Sequence, residues 1–266
     1  MELVSGGRKP DGKSLLSVEE LSLNFGGLQV LKNVTFGVQE GQICALIGPN
    51  GAGKTSVFNC VSRFYHPSAG RILMAGDDLL QRPAHRVAAH GIARTFQNLA
   101  LFGAQTVFEN VMVGAYPVTK ATILDVLLRL PRERREERRT EARAWEMLEE
   151  TGLADLADTK VLDLPFGSQK RVELARALMS EPRLLLLDEP ANGLSHGEVE
   201  SLAEFIREAT ARLGLTVLLV EHHIGMVRAI SDHVVVLDAG EVLAQGSPDE
   251  VTNDPRVIKA YLGSAA

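Results

Sequence analysis

Ile43-Cys44-Ala45-Leu46-Ile47-Gly48-Pro49-Asn50-Gly51-Ala52-Gly53-Lys54-Thr55 is the stretch on which the fold turns. A short apolar run, Ile43 to Ile47, ends in a Gly-rich turn and is followed by a helical pattern from Lys54 to Tyr65. That order predicts a strand buried on both faces of a parallel sheet, then a loop, then a helix. The turn fits G-x-x-x-x-G-K-[ST] over Gly48 to Thr55, in the strand-to-helix context where the pattern has chemical meaning. Gly51 and Gly53 let the loop curl so that backbone N–H groups converge on phosphate oxygens, and the helix N-terminus adds partial positive charge. A turn that merely reverses the chain leaves Lys54 unexplained. The stretch therefore predicts a nucleotide site lined by Gly48, Pro49, Asn50, Gly51, Ala52, Gly53, Lys54, Thr55 and Ser56. In it Lys54 bridges β and γ phosphates as a point charge, and the Thr55 hydroxyl coordinates Mg²⁺.

Working outward, Ser17 to Phe25 and Val30 to Val38 partly alternate apolar and polar residues and read as strands of a half-exposed sheet. Leu184 to Leu187 and Thr216 to Val220 are two more buried strands. Between them Val199, Leu202, Phe205, Ile206, Ala209 and Leu213 recur at helical spacing, which completes a βαβ unit. Val234 to Leu237 and Glu241 to Gln245, joined through Ala239-Gly240, form an expected hairpin, with a short terminal helix around Val257 to Leu262. No strand pattern appears from Phe108 to Met179, so that segment is read as helical throughout, including Ile123 to Leu130. Arg132 to Arg143 packs six Arg and four Glu into twelve positions. It reads as a solvated helix face laced by pairs worth about 0.3 to 0.5 kcal/mol each. Interleaved acids and the lack of an aromatic argue against RNA binding there.

Composition bounds the function classes. The chain has 266 residues, 45% hydrophobic and 23% charged, enough for one large core or two smaller ones. With 28 Lys and Arg against 34 Asp and Glu, the net charge of -6 advertises no nucleic-acid partner. No apolar stretch approaches the roughly 20 residues that span a bilayer. Met1 to Lys13 reads as a loose polar tail without the apolar core of a secretory signal. Cys44 and Cys60 lack CxxC spacing, which argues against zinc and for a reducing, cytoplasmic compartment.

Leu184-Leu185-Leu186-Leu187-Asp188-Glu189 ends a second buried strand in two carboxylates. In a doubly wound sheet the carboxyl ends of the strands face the ligand crevice, so Asp188 can reach the metal through water. Glu189 can orient or deprotonate the attacking water, a role worth roughly 10² to 10⁴ in rate. Alone, two acids solvating a strand end would explain this equally well; beside the phosphate loop that explanation loses. The two motifs together define a nucleoside triphosphatase.

From about residue 15 to residue 262 the sequence resembles the ATP-binding cassette family. Arg94-Thr95-Phe96-Gln97 looks like the Q-loop, and the resemblance implies that Gln97 touches Mg²⁺ and the water. Leu164-Pro165-Phe166-Gly167-Ser168-Gln169 stands in the place of the LSGGQ signature, which contacts the γ-phosphate held by an opposite subunit. Asn192-Gly193-Leu194-Ser195 resembles the D-loop, His222 the switch histidine, and Phe25 the aromatic residue that stacks on adenine. Glu189, His222, Gln97 and Lys54 are then the catalytic set, with Thr55, Gln97 and Asp188 around Mg²⁺. His223 reads as structural. The signature departs from LSGGQ, and Pro165 offers neither hydroxyl nor N–H. Two readings stay open. One is a composite site weakened by the loss of a bond to a charged group, typically about 1.5 to 3 kcal/mol. The other is a helix near Gly167 that still presents enough N–H groups with Pro165 just before it.

The implied fold is α/β: a P-loop NTPase (RecA-like), mostly parallel core with an antiparallel β subdomain and an inserted α-helical subdomain. The expected division is a tail over 1–13, a nucleotide-binding core over 14–97 and 181–266, and a helical subdomain over 98–180. Phe25-Gly26-Gly27-Leu28, Val57-Phe58-Asn59-Cys60, Gly91-Ile92-Ala93 before the Q-loop, Glu221-His222-His223 and Ala260-Tyr261-Leu262-Gly263 resemble the larger ATPase subunit of branched-chain amino acid importers. That resemblance implies ATP and Mg²⁺ as ligands, transmembrane permease subunits, a second ATPase, an extracytoplasmic binding protein, and a place on the inner face of the membrane. Leu99 to Phe108 is either buried core or the surface that receives a permease helix. ATPases of the same branch carry urea, amides or aromatic acids, and lipid or lipopolysaccharide exporters share the core. Soluble cassette proteins acting on ribosomes or DNA normally carry two cassettes or a long coiled coil, and non-hydrolysing binders usually lose Glu189 or His222.

Overall fold

The computed structural model describes residues 14–95, 99–116 and 131–263. The tail expected over 1–13, the helix expected over Ile123 to Leu130, and Phe96 and Gln97 lie outside the described residues.

Two sheets organise the chain. β1 (Ser14–Phe25) and β2 (Leu28–Gln39) pair antiparallel, and β1 also pairs antiparallel with β4 (Ala69–Met74), which carries the short β5 (Asp77–Asp78). The second sheet has the order β10-β9-β3-β8-β7-β6, formed by β3 (Ile43–Ile47), β6 (Ile92–Arg94), β7 (Leu184–Asp188), β8 (Thr216–Val220), β9 (His233–Asp238) and β10 (Glu241–Gly246). β6, β7, β8, β3 and β9 run parallel, and β10 closes the edge antiparallel to β9. Every residue of β3, β7 and β8 is buried, as continuous apolar runs require when helices cover both faces. The β9–β10 turn has positive φ at both Ala239 and Gly240, the geometry that matches the twist of a two-residue hairpin.

The helices are α1 (Lys54–Val61), α2 (Val107–Val113), α3 (Pro131–Glu150), α4 (Phe166–Leu178), α5 (His196–Leu213), α6 (Ile224–Ile230), α7 (Pro248–Thr252) and α8 (Pro255–Gly263). α5 connects β7 to its parallel neighbour β8, the crossover its apolar stripe predicts. α1 and the antiparallel sheet share one apolar core with one face of the parallel sheet, including Val57, Phe58, Leu186 and Leu218. The opposite face packs against α2 to α5 through Val111, Met147, Val172, Leu185 and Ile206.

Two expectations need correction. α1 stops at Val61 rather than Tyr65, because Ser62 donates its hydroxyl back to Phe58 O at 2.6 Å and Arg63 takes φ +63. The segment from Phe108 to Met179 is not helical throughout: between Gly152 and Pro165 it has only isolated 3-10 turns, and Lys160 bridges to Thr106. Polar Asp, Thr and Lys residues there break the 3.6 periodicity. Periodicity also overlooks β4, β6 and α7, which are too short to show it.

Candidate functional site

Strand β3 delivers the chain into the loop at Gly48, and the loop depends on glycine there and at Gly53. A Cβ on Gly48 would collide with the carbonyl oxygen of Leu237 on β9, and one on Gly53 would stand 2.7 Å from Leu31 Cδ2. Gly48, Gly51 and Gly53 all adopt positive φ. Lys54 opens α1 with its side chain curled over the loop: Nζ donates to Gly48 O at 2.7 Å and to Pro49 O at 2.9 Å. Burial lowers its pKa from the ordinary lysine value, and the charge of Glu189 pushes it back up. The lysine predicted to span phosphates thus holds the shape of the loop through its own carbonyls. The Tyr261 hydroxyl on α8 lies against Gly48, whose N–H opposes the rise that burial imposes on the phenol.

β7 ends beside this loop. Asp188 is paired with Arg94 of β6 at 2.8 Å and is nearly buried. Glu189 follows with φ +48, a left-handed conformation costing a residue with a Cβ on the order of 1 kcal/mol, and its N–H donates to Val220 O at 2.9 Å. β8 runs on into Glu221, His222 and His223. The fully buried Glu221 carboxylate accepts N–H groups from Ala191, His222 and His223, each at 2.9 Å. His222 Nδ1 stands 4.0 Å from Glu189 Oε1 and 3.9 Å from Glu221 Oε2. His223 caps α6 by accepting from Met226 N at 3.3 Å, the structural use expected of it.

Phe25 is half exposed and makes an edge-to-face contact with Tyr65, ring centres 5.1 Å apart. Pro165 is the N-cap of α4, so its missing N–H falls before Phe166, Gly167 and Ser168, which keep theirs. Gln169 N donates to Pro165 O at 3.1 Å, and its side-chain amide to Leu164 O at 2.9 Å. Beyond Asn192, Gly193 (φ +82) and Leu194, Ser195 caps α5 in a capping box with Glu198. Glu198 is held below the usual carboxylate range by the hydroxyl and N–H of Ser195, with a smaller contribution from the N–H of Gly167. Phe166 lies against Gly193, so the segments predicted as signature and D-loop touch within one chain.

The structure thus gathers Gly48 to Ser56, Asp188, Glu189 and His222 at the carboxyl ends of adjacent parallel strands, and sets Pro165 to Gln169 apart with Asn192 to Ser195. Three residues carry geometry that sequence reasoning passed over: Arg94, Glu221 and Tyr261. Arg94 closes a strand, Glu221 follows one and Tyr261 lies on the last helix, placements that mean nothing before the strand order is known.

A magnesium ion fits the donors present. The hydroxyl of Thr55 and the carboxylate of Asp188 are hard oxygen ligands, and Mg²⁺ takes the remainder from phosphate and water. Among the described residues no three His, Cys, Asp or Glu side chains cluster as a self-sufficient metal cage.

Residues 31–192 match the ABC transporter family, and residues 241–266 match the branched-chain amino acid ATP-binding cassette transporter family. The chain is 42% identical to the high-affinity branched-chain amino acid transport ATP-binding protein BraF of Pseudomonas aeruginosa, over 95% of this chain and 99% of the relative. It is likewise 42% identical to LivG of Escherichia coli K12, over 94% and 98%. A solved ADP conformation of an ATP-binding cassette of an ABC transporter superposes with TM-score 0.81 at 30% identity, covering 94% of this chain and 99% of that one.

Proposed function

Since this chain belongs to the ABC transporter family of ATP-binding subunits, we propose that it hydrolyses ATP to drive the import of branched-chain amino acids. The family places such a subunit at a membrane with permease partners, and among the described residues no helix is long and apolar enough to cross one. The finer reading is that it sits on the inner face, pairs with a second ATPase, and serves an extracytoplasmic binding protein. The observation that carries the reading is the convergence of Lys54, Asp188 and Glu189 at the ends of neighbouring strands. The likeness at 241–266 and the 42% identity to BraF and LivG, against 33% to a lipopolysaccharide export ATP-binding protein of Haemophilus influenzae, favour an importer over a lipid exporter.

In the proposed mechanism Gly48 to Ser56 wrap the phosphates, and Lys54 exchanges loop carbonyls for phosphate oxygens. Bound Mg²⁺ would neutralise phosphate charge, held by Thr55 and Asp188, with Gln97 nearby. Glu189 accepts the proton of the attacking water, and His222 orients that carboxylate and the γ-phosphate. Phe25 stacks on the adenine. Leu164 to Gln169 of an opposing ATPase donate N–H groups to the γ-phosphate, where charge spreads in the transition state. Asn192 to Ser195 line the joint between the two subunits. The working division remains a core over 14–97 and 181–266 with a helical unit over 98–180, whose surface from Leu99 to Phe108 receives a permease helix; Phe102 is half exposed there.

The experiment has two readouts. The Glu189→Gln chain with Mg²⁺ and ATP should form a nucleotide-dependent pair by size exclusion, and the wild-type chain taken from membranes should bring permease subunits with it. Failure to retain ATP ends the reading as an ATPase. Co-purification with a lipid-export permease ends the reading as an importer.

A further inference from the structure

Arg94 ends β6 with its guanidinium inside the molecule. Nη2 donates to Asp188 Oδ2 at 2.8 Å, while Nη1 donates to Asn59 Oδ1 at 2.8 Å and to Ser62 Oγ at 2.7 Å. The side chains of Arg94 and Asp188 are only 10% and 8% exposed. The guanidinium carbon also stands 5.6 Å from the Phe58 ring centre and 5.7 Å from that of Phe64. One planar fork therefore joins three elements: β6 that bears it, β7 through Asp188, and the end of α1 through Asn59 in its last turn and Ser62, which caps it. α1 is the helix that begins at Lys54 and Thr55. Its first turn presents the predicted phosphate and metal ligands, and its last turn is fastened to the carboxylate predicted to share that metal.

We propose that Arg94 is a positioning residue for the metal-bound nucleotide: by clamping Asp188 to the far end of α1, it sets the distance between that carboxylate and the Thr55 hydroxyl. This rests on the reading of the phosphate loop as a Mg²⁺·ATP site. The argument is geometric. A rigid helix turn converts the register of Asn59 and Ser62 into a register for Thr55, and a magnesium site demands near-ideal octahedral geometry, so a small displacement of one ligand costs affinity. A carboxylate as buried as Asp188 also needs a charged partner to stay in place. Lysine would supply charge but, as a point donor on a flexible stem, would not reach Asp188 and the α1 pair in one fixed plane. Outer groups that orient metal ligands typically contribute 10-fold to 100-fold in metal affinity.

Calorimetric ATP binding to the full chain, with Mg²⁺ and with EDTA, tests this in Arg94→Gln, Arg94→Lys and the pair Asn59→Ala with Ser62→Ala. All three should bind ATP in EDTA within about 2-fold of wild type, because the loop is intact. The affinity gained by adding Mg²⁺ should fall about 10-fold or more in Arg94→Gln, with a smaller fall in the other two. An unchanged Mg²⁺ gain in every variant, accompanied only by lower melting temperature, overturns the inference and leaves Arg94 a plain strut. Full recovery in Arg94→Lys overturns the clamp, since charge alone would then suffice. If Arg94→Gln does not fold, the Asn59/Ser62 pair decides by the same ratio, because it keeps the Asp188 ion pair. Lys54→Ala separates the two levels: if it binds ATP as wild type does, the nucleotide site is misplaced, whatever Arg94 does.

Discussion

His222 Nδ1 lies 4.0 Å from Oε1 of Glu189, a pair in which both groups reach solvent. Glu221, at 3.9 Å from the same nitrogen, is fully buried and engaged by three backbone N–H groups. The two acids therefore divide the work. Glu221 fixes the backbone of the histidine and ties it to Ala191, whereas Glu189 keeps a carboxylate at the crevice. The strained φ +48 at Glu189 persists because Val220 and Asn192 hold its backbone on both sides.

From this division, Glu189→Gln should lower ATP hydrolysis by roughly 10² to 10⁴ with ATP affinity within a few-fold of wild type. His222→Ala should also lower turnover, again with binding retained. Single-turnover phosphate release alongside equilibrium binding checks both. Wild-type turnover in the Gln variant would remove Glu189 from the chemistry.

Lys54 supplies a pH dependence with a definite sign. Its folded pKa is lowered by burial, so between that value and the ordinary lysine value the folded apo chain binds fewer protons than the unfolded one. Stability of the apo chain should therefore rise with pH through that window. Phosphate charge beside the amine would raise its pKa again, so ATP binding takes up protons and weakens as pH climbs through the apo value. Calorimetry in pairs of buffers of different ionisation enthalpy, repeated at rising pH below the ordinary lysine value, should show proton uptake in wild type and its loss in Lys54→Gln. Equal uptake in both would place the proton elsewhere.

Legibility in the sequence followed the physics of each signal. Ile43–Ile47 and Thr216–Val220 were readable to the residue because a fully buried parallel strand is a bare apolar run with abrupt ends. The crossover helix was readable because its stripe from Val199 to Leu213 repeats over about four turns. Arg94 was not, although its motif was quoted: its partners Asn59, Ser62 and Asp188 are brought to it only by the placement of β6 beside β7. Glu221 was hidden for the same reason, an acid after an apolar run being as easily solvated as buried. The curl of Lys54 onto its own loop could not be foreseen from a motif defined by what it does with phosphate present.

The two thiols should be silent in the native state. Burial pushes Cys44 and Cys60 up to about 12, and both sit in the core. Since the thiolate is the nucleophile, its fraction at pH 8 is about 10⁻⁴. Native protein should take up no iodoacetamide over hours at pH 8 and two equivalents in denaturant. Prompt native labelling of Cys60 would mean that α1 opens from the sheet.

Gly114 gives the sharpest packing test away from the nucleotide. It follows α2 with an ordinary negative φ, so conformational freedom is not its purpose. A Cβ there would drive into the carbonyl oxygen of Arg176 and stand 2.9 Å from Met179 Cβ, both at the end of α4. Neither neighbour is the far end of a flexible side chain, so the helices would have to separate. Gly114→Ala should cost about 1 to 3 kcal/mol, as overpacking of a tight contact does. That is a drop of several degrees in melting temperature for a chain of this size. Gly197→Ala is the control, because α5 leaves open space around that position and alanine favours the helix. It should be neutral or stabilise by up to about 1 kcal/mol. If both substitutions melt alike, the α2–α4 contact is not as close as the backbone geometry requires.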